Sequence, residues 1–122
     1  MIRIRTTNYQ TQDGKNIIIL QPMSNLDFAA AWQFRMKLQQ CVSKVHHYVV
    51  VNLSEVDFID SSGLRSLMVA MRYVDHFNGK FRICNINPRV KVALEVTKMN
   101  EMLEIFATEE EALEEFCYQL AS

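Results

Sequence analysis

Hydrophobic and polar positions change rhythm several times along the chain, and each change marks an element. Residues Ile2 to Thr6 alternate strictly, and Asn16 to Leu20 form a short aliphatic run behind the turn signal Asp13-Gly14. Both patterns read as strands, and the turn between them makes a hairpin. After Pro22-Met23-Ser24-Asn25 the spacing turns helical from Asp27 to Val45, with Ala31, Phe34, Leu38, Cys41 and Val45 on one stripe. Asp27 near its start suits the positive end of the helix dipole. Phe28, Trp32 and Met36 form a second stripe, which is either additional core or, if exposed, an interaction patch.

The run from Tyr48 to Leu53 is almost continuously β-branched, the pattern of a central strand covered on both faces and flanked by parallel neighbours. Leu64, Leu67, Met68 and Met71 predict a helix from Ser62 to His76, stopped by Asn78-Gly79. A strand at Lys80 to Cys84 follows. Asn87 as cap and Pro88 at the first helical position open a short helix through Val96. Leu103 to Phe106 predicts an edge strand. Thr108-Glu109-Glu110-Glu111 is a capping box before a last helix with Leu113, Phe116 and Leu120 buried. Its glutamates have a local cause in the helix dipole, with an acidic docking surface as the alternative reading. Alternating strands and helices give an α/β domain.

Composition narrows the function classes. A chain of 122 residues forms one domain that buries about two thirds of its unfolded surface. Hydrophobic residues at 49%, charged residues at 22%, three glycines and two prolines are the values of an ordinary globular protein. A formal charge of −1 lacks the basic excess that nucleic acid binding needs. No apolar run approaches the ~20 residues of a membrane span. The alternating N-terminus has no secretory h-region, so a cytoplasmic location is expected. Cys41, Cys84 and Cys117 are widely spaced in apolar company and read as core residues rather than a disulfide framework.

The informative segment is Glu55-Val56-Asp57-Phe58-Ile59-Asp60-Ser61-Ser62-Gly63-Leu64, between the central strand and the second helix, where α/β sheets commonly place functional groups. Unpaired N–H groups at a helix start can hold an anion. The plainer alternative makes Asp60 or Ser61 an N-cap and nothing more. Hydrolase chemistry lacks support: Ser62 with His46, His47 or His76 has no G-x-S-x-G elbow. No zinc spacing or phosphate-cradling glycine loop is present, so no metal or cofactor is expected.

The run from Val51 to Leu64, with Asp60-Ser61-Ser62-Gly63-Leu64 at its end, closely resembles the signature of STAS domains of the bacterial anti-sigma factor antagonist type. Weaker agreement spans about residues 9 to 120, through Leu26-Asp27, Gly79-Lys80-Phe81 and Thr108 to Leu113. The resemblance implies a single STAS-type domain over residues 1–122, with a mixed β-sheet and helices packed mainly on one face. It also implies that Ser62, before the glycine, is phosphorylated by a serine kinase that doubles as an anti-sigma factor. The unphosphorylated form would bind that partner and free the sigma factor indirectly. A serine phosphatase would reset the switch, and the chain itself would not be an enzyme.

The partner surface expected on this basis holds Asp27, Asp60, Ser61, Gly63 and Arg65, together with Ser66, Val69 and Tyr73, which follow Ser62 at helical spacing. Val69 and Tyr73 packing against a neighbouring helix is the competing reading. Four positions depart from the family pattern. Asn52 replaces an aspartate, Ser24 a glycine and Arg65 a small residue, while Pro22 occupies an ordinarily unrestricted site. The alternative function is a non-catalytic STAS subunit of a stress-signalling scaffold or a transporter assembly.

Overall fold

The computed structural model describes residues 3–12 and 14–114. Strand β1 (Ile4–Gln10) pairs antiparallel with β2 (Asn16–Pro22), with Ile4 opposite Pro22 and Gln10 opposite Asn16. Helix α1 (Phe28–Cys41) leads to β3 (Tyr48–Asn52), parallel to β2. Helix α2 (Ser61–His76) leads to β4 (Lys80–Cys84), parallel to β3. Helix α3 (Pro88–Val96) and a 3-10 turn (Met99–Glu101) precede β5 (Glu104–Phe106), parallel to β4. A helix, α4, begins over residues 109–114. Among the described residues, five strands lie in sequence order in a mixed sheet whose only antiparallel pair is the opening hairpin.

Side-chain alternation divides the sheet into two faces. Ile18, Leu20, Val49, Val51, Phe81 and Ile83 meet buried residues of α1, α2 and α3 in the larger core. Ile17, Ile19, Val50 and Cys84 face the other way, against Ala112 and the half-buried Leu113 at the start of α4. Thr108 Oγ1 accepts the Glu111 amide at 3.2 Å, one half of the capping box. Phe116, Leu120 and Cys117 lie outside the described residues. Cys84 is buried and Cys41 half-buried.

Two boundaries and one burial stand out against the sequence reading. The first strand runs through Gln10 instead of ending at Thr6, because polar residues are at home on an exposed edge strand. Helix α1 stops at Cys41, and Val45, assigned to its buried stripe, is 73% exposed. Val42 is extended and Ser43 Oγ accepts the amides of Val45 and His46, a local turn that competes with the helix. Arg82 in β4 is fully buried, with its Nε 2.6 Å from Glu104 Oε2 and its guanidinium over the Phe106 ring. That ion pair ties β4 to β5.

Candidate functional site

Two loops at the carboxyl ends of β2 and β3 are joined into one platform. Leu26 forms an isolated parallel bridge with Ile59. Its amide donates to Phe58 O at 3.2 Å and its carbonyl accepts the Asp60 amide at 3.3 Å. Asn25 Oδ1 accepts the amides of Asp57 and Phe58 at 3.0 and 3.1 Å. From the other side Asn87 Nδ2 donates to the carbonyls of Val56 and Asp57, both at 3.1 Å, while its Oδ1 caps α3 through the Val90 amide. Asn25 and Asn87 thus set the shape of the loop before Ser62. Nothing in the spacing of hydrophobic residues singles out Asn25, whereas Asn87 was visible only as a cap.

Asp60 is the N-cap of α2, with extended backbone and Oδ1 accepting the Gly63 amide at 2.9 Å. Ser61 and Ser62 are therefore the first two helical residues, Ser61 exposed and Ser62 half-buried. The Ser62 hydroxyl makes no hydrogen bond among the described residues. It sits in the helix's first turn, where the partial positive charge favours an anion. Arg65, exposed, follows three positions later on the neighbouring turn. Asp27 caps α1 through the Ala30 amide at 3.0 Å. The Leu26–Ile59 bridge brings these two capping carboxylates into adjoining loops.

Two residues assigned to the partner surface are corrected. Ser66 is fully buried and its hydroxyl donates to Gly63 O at 2.6 Å, so it serves the helix instead of facing outward. Gly63 is also buried, because a Cβ there would lie 2.2 Å from Leu26 O; its role is close approach. Val69 and Tyr73 are half-buried, with Tyr73 edge-on to Phe77 at 5.3 Å and packed on the core. Both present only part of their surface to solvent.

Between the start of α2 and α3 the structure adds a surface that the sequence did not reveal. Phe58, Leu64, Pro88, Val92 and Val96 line an open apolar groove of about 780 Å³ between the start of α2 and α3, with Arg89 at its edge. Phe58, Val92 and Val96 are substantially exposed. Exposed apolar area of this kind marks binding surfaces, and two of the groove's residues, Phe58 and Ile59, belong to the loop that leads into α2.

The departures from the family pattern have local explanations in part. Asn52 Nδ2 donates to Glu109 Oε1 at 3.0 Å and its Oδ1 accepts the Ser54 amide at 2.9 Å. An aspartate would set a second carboxylate against Glu109. Pro22 is buried at the last position of β2. Ser24 Oγ is buried with no hydrogen-bond partner among the described residues, and nothing in the structure explains why serine stands there.

Comparison with known proteins agrees with this geometry. The family model for the STAS domain matches residues 8–112. An anti-sigma F factor antagonist of Paenibacillus polymyxa is 24% identical over 87% of this chain and 92% of its own length. BtrV of Bordetella bronchiseptica, assigned as an anti-sigma factor antagonist, is 31% identical over 70% of this chain and 72% of its own. Among solved structures, the antagonist SpoIIAA superposes in its unphosphorylated form with TM-score 0.67, 21% identity, and coverage of 94% of this chain and 96% of that one. The phosphorylated Bacillus form gives 0.66 at 21%, covering 94% and 98%. Murine Slc26a9, an anion transporter, contains a region of the same fold, with TM-score 0.77 and 16% identity over 100% of this chain and 23% of the transporter. From the matched family model and the length over which these antagonists align, the chain belongs to the STAS-domain family of anti-sigma factor antagonists.

Proposed function

We propose that this chain is a non-catalytic, phosphorylation-controlled binding switch. When Ser62 is unmodified it binds an anti-sigma factor that is also a serine kinase, sequesters it, and thereby frees a sigma factor in the cytoplasm. Phosphorylation of Ser62 releases the partner, and a serine phosphatase restores binding. The observation that carries this reading is the placement of Ser62 at the second position of α2, half-buried and directly after the loop whose Phe58 and Ile59 line the apolar groove. The existence of SpoIIAA structures in both phosphorylated and unphosphorylated forms supports it.

The energetics favour loss of binding over loss of folding. A phosphate brings about −1.5 to −2 charges, which the helix N-terminus offsets by ~0.3–1 kcal/mol. Arg65, one turn on, offers a charge-assisted partner that would hold the phosphate on the surface. Seated in an apolar interface, the same phosphate would lose water without compensation. A loss of about 3 to 4 kcal/mol there cuts affinity several-hundred-fold.

The test is incubation with ATP and host cytosolic extract, followed by intact-mass and peptide mapping of the wild type, Ser62→Ala and Arg65→Gly. The expected result is one phosphate on Ser62, absent from Ser62→Ala. In the purified phosphoprotein, Arg65→Gly is expected to lower the melting temperature more than it does in the unmodified protein. No phosphate from an extract that modifies a control substrate overturns the switch and favours a constitutive binding subunit.

A further inference from the structure

The surface around Ser62 leaves the apolar stripe on α1 unused. Phe28, Trp32 and Met36 follow one another at i+4 spacing and are 78%, 61% and 41% exposed. The buried side of the helix is a different set, Ala30, Ala31, Phe34 and Leu38. A helix face turned to water ordinarily carries charge. Helix α1 holds two cations, Arg35 and Lys37, and no carboxylate. Charge depletion around large aromatic and thioether side chains is the composition of an interface centre.

We propose that this face joins two copies of the chain in a two-fold dimer, their α1 helices antiparallel about Trp32. The stripe is self-complementary in that arrangement, as a two-fold contact requires. Equal spacing on either side of Trp32 sets Phe28 of each copy on Met36 of the other, an aromatic–thioether contact, with the two indoles at the axis. Interdigitated i±4 rows are the commonest way for two helices to pack. Arg35 lies three residues from Trp32, so the two guanidiniums stand ~9 Å apart along the helix axis, close to the ~8–10 Å screening length at ordinary salt.

The area is that of a modest dimer. At ~200 Å² per large side chain the three exposed fractions amount to roughly 350 Å² of apolar surface per copy. A standard interface covers ~800 Å² per partner, with an apolar centre inside a polar rim. Ala29, Gln39 and Gln40, all exposed, border the stripe and supply that rim together with the half-buried Arg35. A membrane surface fits less well, because helices that lie in lipid headgroups carry a polar face rich in lysine and arginine.

Trp32 is the chain's single tryptophan, so its emission reports this contact directly. Sedimentation velocity and tryptophan emission are measured over a concentration series from below one micromolar to about one millimolar. The expected result is a shift from one to two times 14.2 kDa in the micromolar range, with a parallel blue shift of emission. Phe28→Gln and Met36→Gln, both at exposed positions, should each weaken self-association at least tenfold. Val96→Gln, in the separate groove between the start of α2 and α3, should leave it unchanged. A monomer throughout the series overturns the proposal and gives the stripe to a different protein. Dimerisation that responds to Val96→Gln and not to the α1 variants overturns it as well. Neither outcome bears on Ser62, since phosphorylation is read by mass on either species.

Discussion

Cys84 shows how far one side chain's surroundings set its chemistry. It is fully buried on β4, and burial first, then the carboxylates of Glu109 and Glu110, push its thiol from an ordinary 9.0 up to about 12. Both causes disfavour the thiolate. The unfolded chain therefore releases the proton first as pH rises, so the stabilisation is complete below pH 9 and is lost on going from 9 towards 12. Urea unfolding of wild type and Cys84→Ala at several pH values isolates this residue, because the other titrating groups cancel. The stability advantage of the wild type should shrink by about 1.4 kcal/mol between pH 8 and 10. A constant difference would contradict the assignment. That Cys84 is a core residue was legible from its apolar company, whereas the nearby glutamates became visible only through the start of α4. Ser66 shows the opposite limit: a hydroxyl four residues after Ser62 reads as surface, yet it is satisfied internally by Gly63 O.

At the scale of elements, α2 explains that misreading. Its fully buried positions are Gly63, Ser66, Leu67, Ala70 and Val74, while Leu64, Met68 and Met71 are only half-buried. Small residues occupy the deepest positions because α2 lies close to α1 and to the Leu26 loop. Hydrophobic spacing follows large side chains, so it found the helix and turned its inner face by about one position. Arg82 was illegible for a related reason, since a cation within a strand reads as exposed until its partner Glu104 is placed beside it. The opening hairpin, the parallel neighbours of the β-branched central strand and the approximate spans of α2, β4 and α3 were legible from hydrophobic runs and from punctuation by Asn78-Gly79 and Asn87-Pro88, whereas the full strand order came only with the structure. Close approach at Gly63 also fixes the sign of a substitution. Glycine to alanine inside a helix ordinarily gains ~1 kcal/mol. Here the added Cβ would meet Leu26 O at 2.2 Å and Ile59 Cγ1 at 2.6 Å. Overpacking of that kind costs ~1–3 kcal/mol, so Gly63→Ala should destabilise the protein by about 2 kcal/mol, roughly 8 °C in Tm. An unchanged or raised Tm in calorimetry would show that α2 and the Leu26 loop are free to separate.

Across the whole molecule, the two faces of the sheet meet at the end of its central strand. Asn52 holds the Ser54 amide on the loop leading to Ser62, and with its other end holds Glu109 at the start of α4. The amide is suited to both tasks because its oxygen accepts and its nitrogen donates. Aspartate at this position keeps the first contact and turns the second into a repulsion between carboxylates. Asn52→Asp should therefore cost about 1–3 kcal/mol at neutral pH, the cost of leaving a partly buried polar group unsatisfied. Two opposed carboxylates raise each other's pKa above the unfolded ~4. Their penalty is then absent at low pH and grows as pH rises through that range. The Tm difference between wild type and Asn52→Asp should be small near pH 4 and largest above pH 6. Adding Glu109→Gln should recover most of the loss at pH 7, because the amide again offers a donor to the new carboxylate. A deficit in Asn52→Asp that is independent of pH and indifferent to Glu109→Gln would mean that Asn52 acts through the Ser54 amide alone. The link between the loop before α2 and α4 would then carry no energy.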